Sequence, residues 1–218
     1  MNKNWSDLNK TMQSQLCKAE SFEQGKLTLF ELRNELFDCL CQTCSKLSAD
    51  DYSKIPFKNS KGNDCASIGW SLWHVFRIED IVCHDLILKD KEVFFTAGFD
   101  KKTGSRIITT GNELSLDEMV DFARSLNIEH LFEYCRAVKA SSEKMLSALE
   151  FADLKKTFDD DDKERLRSLK VVSEHEDAFW LIDYWCGKNI RGLIQMPFSR
   201  HWIMHVEAVL KIAQKIKG

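Results

Sequence analysis

The sequence predicts a mainly α protein, and three observations carry that prediction. Apolar residues recur at helical spacing along most of the chain. Helix breakers are scarce, with nine Gly and two Pro among 218 residues, fewer than an all-β chain normally needs for its turns. No convincing order of strands can be read anywhere.

Taken in order, residues 6–22 read as a short amphipathic N-terminal helix. Residues 27–47 place Leu29, Leu32, Leu36, Phe37 and Leu40 at helical spacing, and Ser48 to Asp51 break the pattern. Residues 66–89 are apolar almost all round, from Ile68 and Trp70 to Ile81 and Val82, which predicts a central, buried helix. Residues 98–114 bear glycines and read as a long loop or a small hairpin around 106–110. Ser115 with Glu118 matches a capping box, so a helix is expected over 116–149, bent near Asn127. The acidic run Asp159 to Asp162 reads as a solvated connection. Residues 175–186 form a helix that stops before Gly187, and Pro197 with Ser199 opens a last helix over 198–216.

The length suits one domain over 1–218, with its core at about 27–218 and enough chain to bury it without disulfides. A formal charge of −3 gives no basic face that would recruit nucleic acid. The polar start has no apolar signal region and no stretch reaches the ~18 apolar residues of a membrane span, so a cytoplasmic protein without membrane partners is expected. The eight Cys are then expected as free thiols. Cys41 and Cys44 share a helical face while Cys39 points away from Cys41, so this cluster reads as small apolar helix residues rather than a metal or redox site.

The chemistry lies with the histidines. His201 and His205 stand at i and i+4, one turn apart on one helical face, with Ile212 between them in direction and Glu207, Lys211 and Gln214 on the opposite arc. Two inward imidazoles at that spacing can reach a single ion, or can be satisfied by backbone and carboxylates. His74 lies among Trp70, Ile78 and Ile81 on the apolar helix, and buried His from two helices is the geometry of bundle metal sites. His84 is about 15 Å further along that helix and cannot share an ion with His74. His130 and His175 lack such a setting.

The stretch WSLWHVFRIED, followed later by PFSRHWIMHVEAV, resembles the DinB-like superfamily of metal-binding bundles. The resemblance implies a four-helix bundle, here with an N-terminal helical extension and additional loops and a helix. It implies a divalent metal on His74, His201 and His205, with Zn or Ni the expected ion, and a homodimer. Three protein ligands leave a coordination position open, as in catalytic zinc sites. The expected function is a metal-dependent enzyme, a hydrolase or thiol S-transferase acting on a small-molecule substrate, with a low-molecular-weight thiol as a candidate partner. The alternative is a non-catalytic metal-containing binding or stress protein. Arg77, at i+3 from His74, is a candidate for holding a substrate carboxylate or phosphate. Trp70, Trp73 and Trp202 are candidates for a pocket lining or for core. No general base is evident, since Glu79 and Asp80 point away from His74.

Overall fold

A computed structural model describes residues 2–59 and 62–218, and every regular element among them is helical. Asn2 caps α1 (Lys3–Gln15) by accepting the Asn4 N–H at 3.0 Å, and the helix buries Trp5 and Met12 as it packs against α2 (Phe22–Cys44). The apolar face predicted over 6–22 is therefore used within the chain. α3 (Ile68–Asp80) is capped by Ser67, whose Oγ accepts the Trp70 N–H at 3.2 Å, and is buried along its whole length, as an all-round apolar pattern requires. It does not run on as α-helix to residue 89. Ile81–Leu88 form π turns that close at Lys89 in the left-handed region, φ 57°.

Short helices α4 (Val93–Thr96) and α5 (Phe99–Lys102) precede irregular backbone up to residue 114, and no hairpin forms there. The expected capping box is present. The Ser115 N–H donates to Glu118 at 2.9 Å and opens α6 (Leu116–Ser125). The helix predicted over 116–149 breaks near Asn127 into two, α6 and α7 (Ile128–Ala148), because Asn127 Oδ1 accepts the His130 N–H at 3.1 Å and starts a new helix.

The acidic run is a correction. Instead of a solvated connection it starts α8 (Asp160–Leu169). Asp159 Oδ1 accepts the Asp162 N–H at 3.1 Å, and Asp162 accepts the Asp159 N–H at 3.2 Å. First-turn carboxylates are favoured there by the positive end of the helix dipole. α9 (Glu176–Cys186), α10 (Ile190–Gln195), π turns at Met196–Arg200 and α11 (His201–Lys217) complete the chain.

α2, α3, α7 and α11 pack on one another as a bundle-like centre. Arg33 of α2 ties them together from a fully buried position. It donates to Glu79 of α3 at 3.0 and 2.7 Å, to Glu143 and Ser142 of α7 at 3.0 Å each, and to the Phe198 carbonyl ahead of α11 at 3.0 Å. Glu79 also accepts the indole N–H of Trp202 at 2.6 Å. A second apolar cluster joins Leu154, Leu166, Leu181, Trp185 and Leu193 to Ile78, Ile81 and Val82. Residues 150–195 are thus a packed helical layer on the end of α3. All eight Cys are free thiols, and no described helix is long and apolar enough to cross a membrane.

Candidate metal centre

α3 carries His74 to the face of α11 that bears His201 and His205. The ring centroids lie 5.1 Å (His74–His201), 4.9 Å (His74–His205) and 4.6 Å (His201–His205) apart. All three side chains are buried, and one ligand atom from each falls within 4.8 Å of the others. Bonds of about 2.0–2.1 Å in a tetrahedral site would set the nitrogens about 3.3 Å apart, so an ion draws them in by up to about 1.5 Å. Among the described residues this is the one His, Cys, Asp and Glu group so arranged, and Cys39, Cys41 and Cys44 form none.

The alternative in which backbone or carboxylate satisfies the pair is not what the structure provides. The Nδ1 atoms of His201 and His205 are buried and have no hydrogen-bond partner. A buried polar atom left unpaired costs on the order of 1–3 kcal/mol, so neither imidazole has the protein partner that this alternative requires. Burial pushes His74 down to about 4, against a smaller upward effect of its Thr110 hydrogen bond. His201 and His205 are held well below the ordinary imidazole range by burial first, then by their histidine neighbours. All three are therefore neutral near pH 7, the form that binds a metal without displacing a proton.

The tautomer of His74 is set from outside the bundle. Its Nδ1–H donates to the Thr110 carbonyl at 2.9 Å, which leaves Nε2 as the ligand atom. Three neighbours on α3 bond the same short segment. Trp70 Nε1 donates to Gly111 O at 2.8 Å, Trp73 Nε1 to Thr109 O at 3.0 Å and Arg77 Nε to Ile108 O at 2.8 Å. Four consecutive carbonyls, 108 to 111, thus receive four side chains of one helix. Gly111 has φ +78°, and a Cβ there would lie 2.8 Å from Trp70 Nε1. Trp70 in turn stacks on His74, with centroids 4.4 Å apart and planes 13° from parallel.

A cavity of about 260 Å³ opens onto the three histidines. Its outer wall is α9, which contributes Trp180, Leu181, Tyr184 and Trp185. Asn63 and Asn112 supply amides, and among the described residues no Asp, Glu, Lys or Arg lines it. Sequence reasoning missed this wall, although Trp180, Leu181, Tyr184 and Trp185 form one stripe at i, i+1, i+4 and i+5.

Other expectations are redirected. Arg77 does not line the cavity. It is fully buried, with Nη1 paired to Glu92 and 3.7 Å from Asp80, and its guanidinium lies over the Phe94 ring at 4.8 Å. A helix-wheel direction could not foresee an acid arriving from residue 92. Trp73 and Trp202 are core, and Trp70 backs His74 rather than facing the cavity. Glu79 and Asp80 do lie away from the histidines. Asp80 accepts the Phe94 N–H and the Tyr134 hydroxyl at 2.9 Å each. His84 bonds Asp90 at 2.7 Å and Ser141 at 2.9 Å, His130 pairs with Glu133, and His175 caps α9. No protein-family model matches the chain, and no curated protein matches it.

Proposed function

We propose that the chain is a divalent-metal-dependent enzyme of the DinB-like kind, with Zn or Ni on His74, His201 and His205, and that it activates a thiol for S-transfer rather than water for hydrolysis. One observation carries this reading: three neutral imidazoles converge on a cavity whose walls hold no carboxylate. Base-assisted hydrolysis uses a side chain that takes the water's proton, and none is in place. A divalent ion on three imidazoles would lower the pKa of a thiol at its remaining position, so that thiolate is available near neutral pH. The thiol proton leaves to solvent, a C–S bond forms at an electrophilic carbon, and the leaving group departs with its electron pair. Asn63, Asn112 and Tyr184 line the cavity and offer hydrogen-bonding groups to the electrophile.

The second reading, a metal-containing binding or stress protein without turnover, draws on the same lack of acid and base. Metal analysis of protein purified without an affinity tag, followed by thiol-transfer and esterase assays with that metal restored, separates the two. Thiol transfer that disappears in His74→Ala, His201→Ala and His205→Ala, but persists in His84→Ala, supports the enzyme. Esterase activity alone would replace transfer by hydrolysis. Stoichiometric metal in all three folded triad variants would end the metal assignment.

A further inference from the structure

Ser141, His84 and Asp90 form a second chemical group, and it shares no residue with the three-histidine cluster. His84 Nδ1 lies 2.7 Å from Asp90 Oδ1, and His84 Nε2 lies 2.9 Å from Ser141 Oγ. An ionised carboxylate only accepts, so Nδ1 carries the proton and Nε2 offers its lone pair to the Ser141 hydroxyl. A helical serine ordinarily returns its hydroxyl to a carbonyl of its own helix. Ser147 of α7 does so, donating to the Lys144 carbonyl at 2.8 Å, whereas Ser141 is aimed at an imidazole.

The backbone is shaped to bring these groups together. On a straight α-helix, residues six apart are separated by roughly 9 Å along the axis and about 240° around it, so His84 and Asp90 would not meet. The π turns over Ile81–Leu88 and the left-handed Lys89, φ 57°, fold the chain back, and the Asp90 N–H donates to the His84 carbonyl at 3.0 Å. Asp80 Oδ1 lies 3.8 Å from His84 Nε2, which favours the imidazolium formed when that nitrogen takes a proton. Ser141 is half-buried and Asp90 exposed, so the group is within reach of a molecule in solution. Lys144, exposed at i+3 from Ser141, adds a cation on the same face of α7.

We propose that Ser141 is a nucleophile, with His84 its general base and Asp90 a positioning residue, and that it takes the acyl group of small activated esters. As Oγ bonds to the carbonyl carbon, its proton passes to His84 Nε2 and the carbonyl π pair moves onto oxygen. That pair then returns, the bond to the leaving group breaks, the leaving oxygen keeps the bonding pair and takes the proton from His84, and acyl-Ser141 remains. Water, giving its proton to His84, releases the acid and restores the hydroxyl. One exposed ammonium stabilises the developing oxyanion less than rigid, preorganised donors do, so the substrates are esters with good leaving groups, aryl esters first.

The experiment uses the full chain with chelator present, so that metal at the histidine cluster takes no part. An alkyl fluorophosphonate is the probe. Oγ displaces fluoride from phosphorus, the proton goes to His84, and peptide mass spectrometry locates the adduct. A single adduct on Ser141 is expected, together with a stoichiometric burst of p-nitrophenolate from p-nitrophenyl acetate. Both should vanish in Ser141→Ala and persist in Ser147→Ala, with circular dichroism confirming that each variant folds. His84→Ala should slow both by about 100-fold or more, the share that a positioned base provides. Asp90→Asn should slow them by about tenfold, less than the ~10⁴-fold of a buried triad aspartate, because the Asp90 side chain is 57% exposed. Asp90→Glu, which keeps a carboxylate, should recover most of that loss. Folded wild-type protein that gains no adduct, an adduct elsewhere than Ser141, or labelling of Ser141 at an unchanged rate in His84→Ala would overturn the proposal.

Discussion

Replacing Arg33 by Ala should be among the most damaging single changes in the molecule. Arg33 is fully buried and makes five hydrogen bonds to four groups on three other segments. The loss is not the sum of those bonds. What decides the magnitude is Glu79, fully buried as well and left without its cation. Breaking a buried pair from one side costs about 3–5 kcal/mol. For a chain of this size each kcal/mol moves Tm by about 2–4 °C, so a fall of about 6–20 °C is expected. The assay is thermal and urea unfolding, each monitored by circular dichroism, with chelator present so that any bound metal does not mask the change. Replacing both partners with Met removes the stranded charge and should recover much of the loss, giving a large coupling energy in the double-mutant cycle. An Arg33→Ala variant within about 1 kcal/mol of wild type, or a double variant as damaged as the sum of the singles, would refute the placement of this ion network at the junction of the four helices.

Three further outcomes follow from other sites. Gly111→Ala forces a Cβ onto Trp70 at a positive φ, so it should cost about 1–3 kcal/mol and weaken metal affinity by about 10–100-fold; unchanged metal titrations would show that the carbonyl contacts do not orient His74. The folded state keeps His74 neutral down to about 4, whereas unfolded imidazole takes up its proton near 6.5. Stability from this group is therefore present above pH 6.5 and lost as pH falls from there through about 4. A denaturation midpoint of metal-free protein that is flat over this window would contradict it. Burial, and then Glu92, raise the pKa of Asp85, so its penalty appears above the ordinary carboxylate range near 4 and grows as pH rises. Asp85→Asn should stabilise the protein increasingly from pH 4 to 8, and a variant less stable than wild type at pH 8 would count against this account.

What was legible in the sequence was what lies along one helix. The wheel positions of His74, His201 and His205, the Ser115–Glu118 capping box and the break at Asn127 all depend on residues within a turn or two of each other, and the structure realises them. Arg77 was misjudged because its partner, Glu92, arrives from beyond the π turns, which no periodicity announces. The acidic run at 159–162 carried a helix-start signal, an Asp at each end three residues apart, hidden behind its charge. The segment 108–111 was unreadable for a different reason. Its contribution to the site is made by main-chain oxygens, which have no signature in the alphabet of side chains.

That last feature separates what the segment must keep from what it can change. Ile108, which is exposed, presents an acceptor that any amino acid would carry, so its identity is free to drift as long as the path of the backbone holds, whereas the hydroxyls of Thr109 and Thr110 also donate to Glu113 and Asn112 and Thr110 is fully buried. Length is not free. Deleting one residue between α5 and Gly111 would move each carbonyl by about one residue spacing, some 3.8 Å, and misalign four hydrogen bonds at once. Saturation mutagenesis read across this stretch should therefore be most permissive at Ile108, strict at Thr110 and Gly111, and harsh for gaps throughout. A relative of this chain can share the three-histidine cluster and the path of its supporting loop while matching that loop at few positions in an alignment.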